Sequence, residues 1–376
     1  MNVKISVRSL VEFIFRSGDI SDGQSGTLSK EAMNAGSRIH RKLQKKAGSY
    51  YNAEVPLKFT VGQGGHSVLI EGRADGIIDK KHPEAEDEYI TIDEIKGVYR
   101  KLADIEEPEQ VHLAQAMCYA YIYSQKEELS EIQVQITYVN LESEEVKQFI
   151  ELYTFQELHK WFYAMIDQLL QWIDYAVTHS LERNDSIEAL EFPFAYRKGQ
   201  KEMAACVYKA IDQGQHLFVQ APTGIGKTMA ALYPTIKSFT AGETSKVFYL
   251  TAKTIAHTVA ENAISLLREK GLVFSSVIIT AKEKLCPNDE MECNPDICPY
   301  AKGHYDRINE ALYDLITHET DIQRETILSY SNKHMVCPFE LNLDASLFAD
   351  AIICDYNYVF DPRVNLKRFF AKESSA

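Results

Sequence analysis

Eight consecutive residues constrain the fold of this chain more than any other segment: Ala221-Pro222-Thr223-Gly224-Ile225-Gly226-Lys227-Thr228. They follow an apolar stretch, 216–220, that is typical of a strand, and the residues after Lys227 are predicted to form a helix. A glycine-rich turn between a strand and a helix binds phosphate, because backbone N–H groups and the positive end of the helix dipole point at the anion. Further alternation of predicted strands and helices, up to residue 280, favours an α/β fold with a parallel sheet.

We predict that all eight residues contact ATP. Lys227 would neutralise the β- and γ-phosphates, and Thr228 would hold Mg²⁺. Upstream, Arg197 and Gln200 are candidates for recognition of the base, since a glutamine amide can pair with both the N6 and N7 atoms of adenine. The alternatives are a glycine-rich turn without a ligand for the loop, and a solvated helix start for Arg197 and Gln200.

Four of the seven cysteines, Cys286, Cys293, Cys298 and Cys337, fall in a predicted insertion at 281–340, between two strands of this sheet. Six, four and thirty-eight residues separate them, without the paired Cys-x-x-Cys units usual for structural zinc. A 4Fe–4S cluster tolerates irregular spacing. Spacing alone leaves an iron–sulfur cluster, a zinc site and unrelated buried thiols open. Cys354 is predicted to be a strand residue and not a ligand.

The N-terminal half has a different organisation. Helices are predicted at 7–15, at 29–46 with Ser29 as cap, at 109–124 and up to 178, with strands at 53–61, 67–78, 89–96, 132–139 and 146–153. At 376 residues the chain should contain two or three domains. We predict a mixed sheet flanked by helices at 1–180, a linker at 181–191, and an ATP-binding domain at 192–376.

Candidate catalytic residues follow one another along the N-terminal half. Asp75 is predicted on a strand, and Glu94 and Lys96 lie two apart on the next, hence on one face. The helical candidates are His40, Gln115 and Tyr119. Carboxylates suit Mg²⁺ or Mn²⁺, so Asp75 and Glu94 are predicted to hold the metal, with the Ile95 carbonyl and His40 as candidates for additional ligands. Taken singly, each residue also fits a purely structural role, such as a solvated ion pair on a strand or a structural histidine on a helix.

This order of residues, together with Gly36-Ser37-Arg38-Ile39-His40 and Gly72-Arg73-Ala74-Asp75, resembles the RecB-type nucleases of the PD-(D/E)XK superfamily. The resemblance covers residues 1–178. It implies metal-dependent phosphodiester hydrolysis, in which Lys96 orients or deprotonates the attacking water. Gln115 and Tyr119 would contact the DNA backbone or support the centre.

The second half resembles the XPD and DinG type of iron–sulfur DNA helicase, a group within superfamily 2. The resemblance covers 192–370 and is carried by the phosphate loop, by Tyr249-Leu250-Thr251-Ala252-Lys253-Thr254, by the four cysteines and by Ile353-Cys354-Asp355-Tyr356-Asn357-Tyr358. It implies a RecA-like motor domain with a 4Fe–4S insertion. The chain ends before any Asp-Glu-Ala-His box, so we expect a fragment that binds ATP weakly without hydrolysing it.

The predicted function is an ATP-dependent DNA helicase–nuclease of DNA repair, acting on single-stranded or branched DNA. Two other functions remain open: a DNA-binding scaffold regulated by these sites, and an RNA-directed ATPase. The net charge of −14 argues against a protein that coats nucleic acid, which would normally be basic. No apolar run of about 18 residues and no signal peptide occur, so we expect a cytoplasmic protein without a membrane span.

Overall fold

The computed structural model of the protein describes residues 2–21, 30–46, 48–79, 89–242, 244–252 and 255–370. The chain divides into two compact units, Met1–Ile173 and Asp174–Ala376. Each unit combines helices with a sheet, so the predicted α/β class is confirmed. The predicted cap Ser29 lies outside the described residues.

The first unit contains a mixed sheet and its helices. Its elements are β1 (Asn2–Ser6), α1 (Val7–Ile14), α2 (Lys30–Lys46), β2 (Tyr51–Gln63), β3 (His66–Ile78), β4 (Thr91–Val98), a 3₁₀ turn (Leu102–Asp104), α3 (Gln110–Glu127), β5 (Glu131–Asn140), β6 (Val146–Thr154) and α4 (Phe155–Ala189), which continues into the second unit. The strand order is β1-β3-β4-β5-β6, and β2 also pairs with β3. β1 with β3 and β4 with β5 are parallel, whereas the other pairs are antiparallel.

Helices cover this sheet through apolar side chains. The side chain of Ser6 accepts a hydrogen bond from the Ser9 N–H and caps α1. Four apolar residues of α1 are buried against the unit: Val7, Leu10, Val11 and Ile14. In α2, Ile39 packs against Ile95 of β4 and Val139 of β5. This contact places α2, which carries His40, beside the strand that carries Glu94 and Lys96.

The second unit contains a parallel sheet. Its elements after α4 are α5 (Gln200–Asp212), α6 (Lys227–Lys237), β7 (Val247–Thr251), α7 (Ile255–Arg268), β8 (Ser276–Ile278), α8 (Lys282–Leu285), α9 (His304–His318), β9 (Asp321–Ile322), α10 (Arg324–His334), α11 (Pro338–Phe348), β10 (Ala351–Asp355), α12 (Asn357–Phe360) and α13 (Lys367–Phe370). The order β7-β10-β8-β9 is parallel throughout, as predicted. Its core joins α4, α6 and α7 to the strands through buried residues such as Ile187, Ile236 and Ile264.

The predicted strand at 216–220 is wrong. These residues form no regular element, and all of them are exposed, including Phe218 at 96%. No strand among the described residues pairs with them. A single strand without a partner leaves its backbone N–H and C=O groups unpaired, so an apolar alternating sequence is not enough to form one.

The predicted linker is also wrong over most of its length, because residues 181–189 continue α4 as a helix. Apolar side chains decide the outcome: Ile187 and Leu190 are buried in the core of the second unit. The predicted insertion at 281–340 contains helices and also the short strand β9, which pairs with β8. Part of the insertion therefore belongs to the sheet.

None of the helices in the described part of the chain combines the length and the apolar character needed to cross a membrane.

Candidate functional sites

The two candidate carboxylates of the first unit meet where β3 pairs with β4. Asp75 lies on β3, and its Oδ2 accepts a hydrogen bond from the Ile95 N–H of β4 at 2.8 Å. His40 Nδ1 of α2 lies 3.6 Å from Asp75 Oδ1. Glu94, which precedes Ile95, is buried. The sheet thus brings His40, Asp75 and Glu94 into one neighbourhood.

Lys96 connects this neighbourhood to α3. Its Nζ lies 2.9 Å from Glu94 Oε1 and donates a hydrogen bond to Gln115 Oε1 at 3.1 Å. Gln115 and the Arg73 backbone lie beside the Tyr119 hydroxyl and partly offset the rise that burial causes in its pKa. The six candidate residues therefore lie in one neighbourhood.

A glycine makes the last of these contacts possible. A Cβ atom at Gly72 of β3 would lie 2.6 Å from the Tyr119 hydroxyl oxygen. Real Cβ atoms essentially never approach this closely, so a side chain at position 72 would displace Tyr119. The glycine of the Gly72-Arg73-Ala74-Asp75 segment has a packing role beside α3.

Burial dominates the electrostatics of this site. Desolvation raises the pKa of Glu94 from its ordinary value near 4.5 to about 8, and the charge of Asp75 adds to the effect, although Lys96 opposes it. Among the residues that the structure describes, Glu94 Oε2 is buried and has no hydrogen-bond partner. Burial lowers the pKa of His40, but its hydrogen bond to Asp75 and the charge of that carboxylate outweigh this and raise the pKa overall.

The donor set suits a hard cation bound in part by water and substrate. Within the described residues, no group of three or more His, Cys, Asp or Glu side chains is placed to hold a metal ion. The predicted set of His40, Asp75 and Glu94 is therefore not a preassembled coordination sphere. Mg²⁺ commonly takes only one or two carboxylates and keeps water and phosphate ligands, and the unpartnered oxygen of Glu94 is a donor of the right kind.

The sequence predictions missed a second polar network on the opposite face of β4. Asp93 accepts hydrogen bonds from Tyr51 Oη (2.9 Å), Gln135 Nε2 (3.0 Å) and Thr137 Oγ1 (2.6 Å). Burial raises the pKa of Asp93, while these three donors oppose the rise. The alternation of side chains along a strand could have placed Asp93 opposite Glu94, but its partners come from distant strands.

The phosphate loop of the second unit has the expected glycine geometry. Gly224 and Gly226 adopt φ values of 83° and 82°, in the left-handed region that favours glycine. α6 begins at Lys227, directly after Gly226. Lys227 Nζ donates to the carbonyl oxygens of Ala221 at 3.2 Å and Pro222 at 2.9 Å. The ammonium group thus lies over the loop, where phosphate oxygens would replace these carbonyls.

Arg197 and Gln200 contact the phosphate loop directly. Gln200 Oε1 accepts from the Arg197 N–H at 3.0 Å, and Gln200 Nε2 donates to the Gly226 carbonyl at 3.3 Å. The Arg197 guanidinium donates to the Gly224 carbonyl. Both ends of the Gln200 amide are therefore occupied within the protein. Its predicted pairing with adenine stays a prediction and requires these bonds to exchange.

The four cysteines are not assembled into a metal centre. Cys286 follows α8, Cys298 is buried, and Cys337 caps α11, where its N–H donates to His304 Nδ1 at 3.1 Å. Burial raises the pKa of Cys337 to about 11, and the nearby Cys293 adds to this. Over the described residues, all four cysteines included, no three ligands converge. Cys354 lies buried in β10, as predicted.

Comparison with known proteins relates the second half of the chain to helicases. Residues 197–311 match the DEAD/DEAH box helicase family, and residues 259–373 match the DEAD_2 family. Over 40 residues the chain is 58% identical to the ATP-dependent helicase DinG of Mycobacterium tuberculosis and of Mycobacterium bovis, which covers 11% of this chain and 6% of each relative. The phosphate loop lies within this helicase-related region.

Two solved structures are similar to part of the chain. One is a truncated XPD (19% identity, TM-score 0.33), which aligns with 45% of this chain and 48% of its own. The other is an XPD helicase (18% identity, TM-score 0.30), which aligns with 45% of this chain and 29% of its own.

Ionisation of Glu94 should destabilise the metal-free first unit as the pH rises. Between about 4.5 and about 8 the folded state holds this proton more tightly than the unfolded state, so the free energy of unfolding falls with pH. Glu94→Gln cannot ionise and should remove this part of the decline. Both tryptophans, Trp161 and Trp172, lie in the first unit, so tryptophan fluorescence during thermal unfolding measures its stability.

We expect the Tm of Glu94→Gln to exceed that of the parent by several degrees near pH 9 and by little near pH 4.5. The matched control is Glu71→Gln, since Glu71 lies on β3 and is partly exposed beside Lys4. It should retain the parent's pH dependence. An equal decline in Glu94→Gln and the parent would show that Glu94 is not the buried acid.

Proposed function

We propose, from the helicase relationship of residues 197–373, that this protein is an ATP-dependent DNA helicase with a metal-dependent nuclease domain at its N-terminal end. The observation that carries the nuclease part is the contact of His40 with Asp75, and of Lys96 with both Gln115 and the buried Glu94, in one neighbourhood. The phosphate loop inside helicase-related sequence supports the motor part. The substrate would be single-stranded or branched DNA in repair.

In the nuclease domain, Asp75 and Glu94 would hold Mg²⁺ or Mn²⁺, with the Ile95 carbonyl and His40 as further donors. A bound cation would stabilise charge on the phosphate and lower the pKa of a water ligand. Glu94 would then exchange its contact with Lys96 for the cation. Lys96 would keep its hydrogen bond to Gln115, and without its contact to Glu94 it could orient the attacking water.

In the motor domain, Lys227 would leave the carbonyls of Ala221 and Pro222 for the β- and γ-phosphates, and Thr228 would hold Mg²⁺. The N-terminal end of α6 adds a positive dipole to the same place. Arg197 and Gln200 would contact the adenine base next to the phosphate loop, since both already bond to glycines of that loop.

For the segment 281–340 we propose a 4Fe–4S cluster held by Cys286, Cys293, Cys298 and Cys337. Two observations support a shared location: Cys293 influences the titration of Cys337, and α8 and α11 are in contact. Gathering four thiolates would require the loops around them to close on the cluster.

Alanine at Asp75 or Lys96 should abolish Mg²⁺- or Mn²⁺-dependent cleavage of single-stranded DNA. Loss of a positioned proton-transfer group costs about 10² to 10⁴ in rate, and loss of a metal ligand should cost at least as much. The control is Glu71→Ala on the same strand as Asp75, which should cut like the parent. Tryptophan fluorescence checks that each variant remains folded. Unchanged cleavage by both variants would refute the nuclease assignment.

Lys227→Ala should remove binding of a fluorescent ATP analogue while metal-dependent DNA cleavage stays nearly unchanged. The reason is that Lys227 is the cation of the phosphate loop, whereas the nuclease residues lie in the other unit. Lys209→Ala, an exposed lysine on α5, is the control and should bind the analogue normally. Full binding by Lys227→Ala would contradict the assigned phosphate site.

Protein produced anaerobically should contain iron and acid-labile sulfide and absorb near 400 nm. Serine at any of the four proposed cysteine ligands should lose the cluster. Serine at the exposed Cys206, or at Cys118 in the core of the first unit, should not. Stoichiometric zinc without sulfide would replace the iron–sulfur proposal with a zinc site.

A further inference from the structure

A glutamine that is not among the candidate residues attaches α2 to the sheet beside Asp75. Gln44 lies four residues after His40 and therefore on the same side of α2. Its Nε2 donates a hydrogen bond to the backbone carbonyl oxygen of Asp75 at 3.0 Å. The carboxylate of the same aspartate lies 3.6 Å from His40 Nδ1. One side of α2 thus contacts Asp75 twice, at its backbone and at its side chain.

Glu54 of β2 is the second partner of this glutamine. Gln44 Nε2 donates to Glu54 Oε1 at 3.2 Å, and Glu54 Oε2 lies 3.7 Å from Arg73 Nη1 of β3. β2 and β3 are paired in register on both sides of Glu54, and this register puts Glu54 directly opposite Asp75. The Glu54 carboxylate therefore connects α2 with β3 next to the proposed metal ligand.

The backbone of Glu54 has an unusual conformation for a strand residue. Its φ is 56°, in the left-handed region, although it lies within β2. Residues with a Cβ atom rarely adopt this conformation, whereas glycine adopts it freely. Such strain persists only where surrounding contacts maintain it, and it is concentrated at functional sites. The bond to Gln44 and the pairing with Arg73 are contacts of this kind.

Apolar packing alone does not determine the position of His40. Ile39 packs against Ile95 and Val139 and holds α2 on the sheet. Apolar contacts are non-directional, so they permit small rotations and shifts of the helix. The hydrogen bonds of Gln44 are directional and set the place of α2 along β3. This matters for a ligand, because a metal site requires its side chains within about 0.5 Å of their working positions.

We propose that Gln44 and Glu54 are positioning residues of the proposed nuclease centre, which together fix α2 on β3 so that His40 lies beside the Asp75 carboxylate. This role rests on the nuclease proposed above and adds two residues to it. Gln44 acts through His40, and Glu54 acts through Gln44. Partners that orient metal ligands in this way commonly contribute about 10- to 100-fold to metal affinity.

The experiment measures the affinity of the full chain for Mn²⁺, without nucleotide, from the electron paramagnetic resonance signal of the free ion. Binding that disappears in Asp75→Ala belongs to the proposed centre. Gln44→Leu keeps the approximate size of the side chain and removes its donor, so it should weaken this binding about 10-fold. In a His40→Ala background the same substitution should cause no further loss, since Gln44 acts through His40.

Substitutions at Glu54 separate the hydrogen bond from backbone strain. Glu54→Gly removes the acceptor and relieves the left-handed φ, so it should keep or raise the Tm from tryptophan fluorescence yet weaken Mn²⁺ binding about 10-fold. Glu54→Gln keeps an acceptor oxygen for Gln44 and should bind Mn²⁺ like the parent. Glu54→Gly combined with Gln44→Leu should bind no more weakly than Gln44→Leu alone, because both changes remove one shared contact.

Two lysines of α2 provide matched controls. Lys45→Ala changes an exposed residue next to Gln44. Lys42→Ala removes a half-exposed ion pair between α2 and Glu144, which lies between β5 and β6. Exposed ion pairs are weak, so both variants should keep the parent's Mn²⁺ affinity. A loss in Lys42→Ala as large as that in Gln44→Leu would show a general effect of α2 packing and would overturn the assigned role.

Unchanged Mn²⁺ affinity in Gln44→Leu or in Glu54→Gly would overturn the inference and leave the nuclease standing, because DNA cleavage by the parent is measured separately. An equal effect of Gln44→Leu with and without His40 would overturn it as well. A parent that binds Mn²⁺ at Asp75 but does not cleave DNA would overturn the nuclease alone, and the affinities would still decide the role of Gln44. Mn²⁺ binding that does not depend on Asp75 would overturn both.

Discussion

The pairing of β3 with β4 determines the chemistry of the first unit. It directs the Asp75 carboxylate to the Ile95 N–H and buries Glu94 beside it. Loss of hydration in this buried site raises the pKa of Glu94 to about 8, and the charge of the neighbouring Asp75 adds to the effect. Lys96 offsets this only in part. A divalent cation would supply the missing positive charge, which is the physical basis of the proposed nuclease.

The other side chains of this site keep Lys96 in place. Gln115 accepts from Lys96, and the Tyr119 hydroxyl of the same helix packs against Gly72 of β3. α3 thereby links the two strands that carry the carboxylates. The same helix also fixes the segment after β4, since Glu109 at its start pairs with Arg100.

In the second unit the phosphate loop forms although the residues before it, 216–220, do not pair as a strand. Left-handed glycines and the start of α6 shape the phosphate loop, and Arg197 and Gln200 tie it to α5. The stretch 216–220 nevertheless remains exposed and irregular. Glycine conformation and helix capping are local properties, whereas a strand requires hydrogen bonds from a neighbour. The same distinction explains the cysteines, whose sulfurs must converge from distant segments.

The sequence alone determined the α/β class and the order of most elements, because these follow from periodicity. The six candidates of the first unit came from the resemblance to RecB-type nucleases, which rests on the order of the motifs. Alternation along β4 was enough to separate Glu94 and Lys96 from Asp93 and Ile95. Tertiary structure decided the burial of Glu94 and the second network around Asp93. It also decided that 181–189 are helical, since Ile187 is buried in a core built from α6 and α7. Burial and the distances between charges depend on which distant residues pack together, and a local sequence pattern does not predict those neighbours.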